Sequence, residues 1–166
     1  MRTSTRRMTS VMAAVGLIGV GFGAGSAAAD VANGAPAPMR QVYRSCDFGV
    51  AKYVDASGYG SGTATIGTGG SGTVTADVFL MIGRPNTPYQ VRLIQGPRPG
   101  SQTCNAGDPG VVSAVLNTNG NGTGSVTLRD AVRSGATNAW VFVDGPPDPG
   151  EIRGEFYTSE VLTSLQ

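Results

Sequence analysis

The sequence contains no histidine, and its only cysteines are Cys46 and Cys104. The missing histidine removes the commonest general base, the commonest metal ligand and every Ser-His or Cys-His nucleophile arrangement. The only lysine is Lys52, and the residue three before it is Gly49, so an S-x-x-K dyad is absent. The residue types therefore argue against an enzyme and leave carboxylates as the main source of reactive groups.

Carboxylates cluster late in the chain, around a proline-rich segment. Asp144, Asp148 and Glu151 lie close together, and Glu155 follows them. Hard oxygen ligands at this density could hold Ca²⁺, although the spacing does not match an EF-hand loop. The same residues could serve a hydrolase that uses paired carboxylates. The simpler interpretation is that they are solvated loop charges. A carboxylate- or metal-dependent enzyme built on these three residues is therefore our alternative hypothesis.

A second candidate is the segment 95–104, which is rich in proline and glycine. Its composition predicts an exposed loop with Arg98 and Pro99 near the centre. A loop tethered by a disulfide makes a rigid recognition surface. Protease inhibition through Arg98 is a lesser alternative, since Pro99 directly after Arg98 suits a substrate-like inhibitor poorly. The simpler interpretation is a structural loop that closes the domain.

Residues 1–29 have the three parts of a secretory signal peptide. The basic start holds three arginines, Arg2, Arg6 and Arg7. An uncharged run, 11–22, follows, and small residues end at Ala29, directly before Asp30. This pattern predicts cleavage between Ala29 and Asp30, and a mature protein that is secreted or held in the cell envelope.

The leader has two other interpretations, an uncleaved membrane anchor and a twin-arginine signal. The segment 11–29 is just long enough to be an uncleaved membrane anchor, but its five glycines and its small terminal residues favour cleavage. The pair Arg6-Arg7 occurs in twin-arginine leaders, yet the large apolar pair that usually follows is missing, since Met8 is followed by Thr9 and Ser10. The sequence leaves the export route open.

Export changes how the other residues are interpreted. Without residues 1–29 the chain has 9 basic and 11 acidic residues, and no basic stripe points to nucleic acid. An even cysteine count in an exported chain predicts one disulfide, Cys46–Cys104. The single lysine beside 11 arginines, with abundant Ala and Gly, is typical of a GC-rich bacterial genome.

The remaining sequence is typical of an all-β domain. Residues 30–39, rich in Ala, Gly and Pro, predict a flexible lead-in to a single domain, 40–166. Apolar residues then recur with a period of two rather than 3.6. The predicted strands are 41–46, 63–66, 73–82, 89–94, 111–116, 125–129, 139–143 and 152–157. The segment 67–72 predicts a reversal, and the Asn-Gly repeat at 119–122 predicts a hairpin.

Seven or eight short strands with frequent turns indicate an antiparallel sandwich or barrel. The strand 139–143 is apolar on both faces, so we expect it to be central and covered on both sides, with Trp140 as the main aromatic core residue. Cys46 and Cys104 are expected to staple one end of the sandwich.

The order of these pieces resembles a known family. A strand at 62–66, a glycine turn and a strand at 73–82 precede Pro88-Tyr89-Gln90-Val91-Arg92-Leu93. The cysteine loop, 116–124 and Trp140-Val141-Phe142-Val143 follow. Over about residues 57–145 this resembles the secreted immunoglobulin-like sandwiches related to the CHRD domain, which share a Greek-key plan with copper–zinc superoxide dismutases. The resemblance implies a Greek-key β-sandwich. Dismutase metal sites depend on histidines, so neither the activity nor the metals carry over.

These observations predict a non-enzymatic extracellular or cell-envelope module for binding or structure. We expect its partner to be an extracellular protein or a glycan, and neither nucleic acid nor, after cleavage, a membrane. No cofactor is expected, with Ca²⁺ at the late carboxylates as the alternative.

Overall fold

The structure is a computed structural model that describes residues 32–166. The predicted signal peptide and its cleavage point between Ala29 and Asp30 lie outside the described residues. The strands are β1 (Pro36–Arg40), β2 (Ser61–Gly69), β3 (Thr73–Met81), β4 (Pro88–Gly96), β5 (Val111–Asn117), β6 (Gly124–Ala131), β7 (Asn138–Asp144), β8 (Phe156–Ser159) and β9 (Thr163–Ser164). Over the described range we find no helix of the length and apolarity that crossing a membrane requires.

The strands form one antiparallel sheet that is nearly closed. Their order is β5-β4-β7-β8-β1-β2-β3-β6, and β9 pairs with the beginning of β7. The sheet has two halves, β1-β2-β3-β6 and β5-β4-β7-β8, which the pairing of β1 with β8 joins. Three connections, β3–β4, β5–β6 and β6–β7, cross between the halves, which makes the plan a Greek key. The predicted fold class, an all-β antiparallel Greek-key sandwich, is confirmed.

The core has two parts, and β7 contributes to both. Ala139, Val141 and Val143 face inward, into the larger cluster between the two halves. Trp140 and Phe142 alternate with them and face outward, into a second, smaller cluster. All five side chains are buried. This confirms the prediction that the strand 139–143 is covered on both sides.

The outer cluster is covered by the long connection between β1 and β2, residues 41–60. Two of its aromatic side chains, Tyr43 and Phe48, pack edge-on against β7. The Tyr43 ring centroid lies 5.4 Å from that of Phe142, and Phe48 lies 5.5 Å from Trp140. Edge-to-face pairs of this kind contribute roughly 0.5–1.5 kcal/mol each beyond their buried area. Tyr43, Cys46, Phe48 and Val54 of the connection thus pack against the outer cluster.

The predicted disulfide is present, with Cys46 and Cys104 joined at an S–S distance of 2.03 Å. It links the 41–60 connection to the loop that follows β4. The sequence predicts that this disulfide lies at one end of the sandwich, and the structure places it elsewhere. Arg92, in the middle of β4, donates a hydrogen bond of 3.1 Å to the Cys104 carbonyl, so the bond lies over the outer face of the sheet.

The beginning of the sheet corrects two sequence predictions. The first strand is Pro36–Arg40 rather than 41–46, so residues 36–39 belong to the sheet and not to a flexible lead-in. Ala37 and Met39 are buried in it. Proline is tolerated in a strand where no partner needs its missing N–H, and β8 pairs with β1 only at Met39 and Arg40. Residues 41–46 keep only an isolated bridge, Arg44 to Val50.

Two later predictions are also corrected. The last long strand is Phe156–Ser159 rather than 152–157, and Ile152 lies in the preceding loop. The turn at 119–122 forms, with the Gly122 N–H 3.0 Å from the Asn119 carbonyl oxygen. It does not make a hairpin, because β5 and β6 are the two ends of the sheet and do not pair. The reversal at 67–72 does join a paired hairpin, β2 with β3.

Candidate binding groove

The three late carboxylates do not meet at one point. Asp144, at the end of β7, pairs with Arg92 at 2.9 Å. Asp148 pairs with Arg84 at 2.5 Å, and Glu151 is exposed. Across residues 32–166 there is no group of three His, Cys, Asp or Glu side chains that could hold a metal ion. The geometry therefore gives no support to the alternative of a Ca²⁺ site or of a carboxylate-dependent hydrolase built on these three residues.

Arg84 anchors the loop that carries two of those carboxylates. It lies in the β3–β4 connection, and its guanidinium reaches across to the β7–β8 loop, residues 145–155. One Nη atom binds Asp148 and the other donates to the Pro146 carbonyl oxygen. Its Nε lies 3.4 Å from Glu155 Oε1. Three contacts from one planar side chain hold this loop in a defined position.

Glu155 is buried, with 6% of its surface exposed. Two tyrosine hydroxyls donate to its carboxylate: Tyr157 to Oε2 at 2.5 Å, and Tyr89 to Oε1. Each hydroxyl oxygen in turn accepts a backbone N–H, from Gly60 at 3.0 Å and from Arg84 at 2.6 Å respectively. A buried charge is tolerated where hydrogen bonds satisfy it in this way. The network joins three connections of the Greek key.

Burial, and then the hydrogen bond to Glu155, raise the pKa of both Tyr89 and Tyr157 well above the usual tyrosine value. The folded state keeps these protons at a pH where the unfolded chain has lost them. The stability that they contribute is therefore complete below the ordinary tyrosine pKa of about 10 and is lost as the pH rises above it.

We predict a loss of unfolding free energy above about pH 10, at up to roughly 1.4 kcal/mol per pH unit for each of the two tyrosines. Urea denaturation at a series of pH values between 9 and 11 measures this slope. Tyr89→Phe should remove the contribution of one of the two tyrosines to the slope of unfolding free energy against pH. The control is Tyr53→Phe, since the Tyr53 side chain is 99% exposed and meets water in both states. Equal slopes in wild type and Tyr89→Phe would contradict the assignment.

Two adjoining cavities lie between the 41–60 connection and the β7–β8 loop. Each has a volume of about 410 Å³. They share four lining residues, Ser57, Glu151, Arg153 and Gly154. We call the two adjoining cavities together the loop groove. Arg84 and Glu155 line one of the two cavities.

Three large apolar side chains stand at the loop groove almost entirely in solvent. Tyr53 and Ile152, at one cavity, are 99% and 97% exposed, and Tyr59, at the other, is 93% exposed. Isolated exposed apolar residues are ordinary. A group gathered around adjoining cavities and bordered by charges is typical of an interaction site. We call these three residues, two tyrosines and one isoleucine, the aromatic rim.

The segment 95–104, the candidate binding loop, uses Arg98 for contacts within the loop. Arg98 is buried, with 5% of its surface exposed. Its guanidinium donates to the Pro109 and Thr103 carbonyl oxygens, both at 2.8 Å. Burial, followed by the nearby Arg133, lowers the pKa of Arg98. Pro99 is exposed, but the arginine that a trypsin-like protease would have to recognise is used inside the loop. The geometry therefore gives no support to the inhibitor alternative.

The sequence indicated some of these residues and missed others. Glu155 was placed beside the late carboxylates, but its two tyrosines come from strands whose pairing the sequence does not reveal. Tyr53 and Tyr59 lie in a segment without alternation, among glycine, serine and alanine. Aromatic residues outside any strand pattern were the available signal for the aromatic rim.

Comparisons with protein-family models, with curated proteins and with solved structures find no match for this chain.

Proposed function

We propose that this protein is an exported, non-enzymatic module that binds an extracellular partner in the loop groove. The observation that carries the proposal is the aromatic rim, three nearly fully exposed side chains around the loop groove. Tyrosine provides a large contact area with few rotatable bonds, so it contributes strongly to binding. Because Tyr53, Tyr59 and Ile152 are almost fully exposed, their side chains contribute little to the buried core of the domain.

The rigidity of the groove supports the proposal. The Cys46–Cys104 bond ties down the 41–60 connection. The Arg84 contacts hold the opposite loop. A site held in its bound shape loses less conformational entropy on binding. The disulfide also favours an oxidising compartment outside the cytoplasm, in agreement with the predicted leader.

The proposed family relationship is to the CHRD-related sandwiches, and the Greek-key strand order supports it. The enzyme alternative draws no support from the carboxylates, because Asp144 and Asp148 are each paired with an arginine. The structural role that the sequence left beside binding would not need an exposed rim. Binding is therefore the function that the geometry favours.

Partner capture tests this function. The mature protein is immobilised, incubated with extracellular and envelope fractions, and compared with a Tyr53→Ser, Tyr59→Ser, Ile152→Ser variant. We expect the variant to recover at least about tenfold less of the partners that wild type captures, because large side chains at the centre of an interface carry most of its energy. Val115→Ser, at a 51% exposed apolar residue on β5, is the matched control. Equal recovery by wild type and the rim variant would overturn the proposal.

A further inference from the structure

We propose that the occupant of the loop groove is a peptide segment in which a lysine or arginine is flanked by apolar side chains. This inference rests on the proposed function and specifies its ligand. It begins from the carboxylates that accompany the aromatic rim.

The exposed charge in the groove is acidic. Asp55 and Glu151 line it, and within residues 32–166 neither carboxylate has an ion-pair partner. Of the two arginines at the groove, only Arg84 is paired with carboxylates in the described part of the chain. Arg84 binds Asp148 and Glu155, and the Arg153 guanidinium lies 4.3 Å from the centroid of the Tyr43 ring. The groove is lined by four carboxylates, on Asp55, Asp148, Glu151 and Glu155, and by two guanidiniums, on Arg84 and Arg153. This negative balance attracts a cationic ligand and repels an anionic one.

The rim suits the same cation. Tyr53 and Tyr59 present ring faces that attract ammonium and guanidinium groups, and this attraction adds to that of nearby carboxylates. Ile152 offers only aliphatic surface, which pairs with an apolar side chain and cannot hydrogen-bond the hydroxyls of a sugar. An aliphatic and acidic site with two tyrosines thus fits a basic peptide better than a neutral glycan.

The shape of the groove agrees with an extended segment. Each cavity, at about 410 Å³, is large enough for a side chain, and the two adjoin at Glu151 and Arg153. Side chains two residues apart in an extended peptide point to the same face, so one peptide can place a side chain in each cavity. The ligand then places its cation near Glu151 and an apolar side chain against Ile152.

Peptide pools test the proposal. The mature protein is titrated with hexapeptide pools that hold leucine or tyrosine at two positions and Arg, Lys, Gln or Glu at a third. We expect the Arg and Lys pools to bind at least about tenfold more tightly than the Glu pool, with an advantage that shrinks as salt is raised. Equal affinities, a preference for Glu, absence of binding by every pool, or binding of neutral polysaccharides in their place would each overturn it.

Charge variants separate this inference from the proposed function. Asp55→Asn with Glu151→Gln should weaken the Arg pool about fivefold or more and leave the Gln pool unchanged. Glu160→Gln is the matched control, at an exposed carboxylate paired with Arg40 on another part of the surface. If the rim variant loses its captured partners while the charge variant keeps full affinity for the Arg pool, the groove binds and the basic ligand is refuted. If the rim variant keeps its partners, the proposed function itself fails.

Discussion

Glu155→Ala is expected to lower the free energy of unfolding by about 3–5 kcal/mol, because removing one member of a buried ionic network leaves the others desolvated and unpaired. The groups left without a partner are the hydroxyls of Tyr89 and Tyr157 and part of the Arg84 guanidinium. The β7–β8 loop also loses one of its anchors. Chemical denaturation followed by tryptophan fluorescence measures the loss, since Trp140 is the only tryptophan.

Two further variants show whether the effect belongs to the network. Glu155→Gln keeps the volume and an acceptor oxygen but not the charge, so it should fall between wild type and Glu155→Ala. Glu160→Ala removes an exposed carboxylate whose ion pair with Arg40 is 3.4 Å long, and it should cost less than about 1 kcal/mol. A Glu155→Ala variant no less stable than Glu160→Ala would show that the buried network contributes nothing.

Replacing both Cys46 and Cys104 by serine is expected to cost about 4 kcal/mol of unfolding free energy. The bond closes a loop of 58 residues, and the chain-entropy model assigns a loss of this size to freeing it in the unfolded state. Because small domains are stabilised by only about 5–15 kcal/mol in total, the loss is a large share. Thermal unfolding should shift downward by on the order of 15 °C.

Reduction of the wild-type protein provides the matched comparison. Reduced wild type and the double serine variant should unfold at similar temperatures, and the oxidised protein should unfold well above both. The outer cluster around Trp140 should loosen first, because Cys46 fixes the connection that covers it. If oxidised wild type and the serine variant unfold together, the disulfide does not hold that connection in place.

Strands with strict alternation could be predicted from the sequence, because a period of two follows directly from the geometry of a pleated strand. The strands β2 to β7 are all found near their predicted positions. β1 was missed because the Ala, Gly and Pro content of residues 30–39 predicts a flexible lead-in, although the buried Ala37 and Met39 alternate with Pro36 and Pro38. A proline interrupts a strand only where a neighbouring strand needs its missing N–H. The strand order of the sheet decides this, and the adjacent sequence does not reveal it.

The pairing of strands and the groove were beyond sequence reasoning. The Asn-Gly turn at 119–122 forms locally, yet β5 and β6 pair with other strands because the Greek key places them at opposite ends of the sheet. Arg98 illustrates the same limit for a side chain. The proline and glycine around it predict an exposed loop, whereas its guanidinium is buried and donates to two backbone carbonyl oxygens.

The walls of the loop groove come from three connections that are distant in sequence, and one of them contributes only Arg84. The groove therefore exists only when the crossover from β3 to β4 has closed against the other two. A ligand that binds there binds the folded state alone, so its binding energy is added to the stability of the domain. At a free concentration a hundred times its dissociation constant, such a ligand would add about 2.7 kcal/mol. The unoccupied and occupied proteins would then differ in their resistance to proteolysis, because proteases attack the open chain.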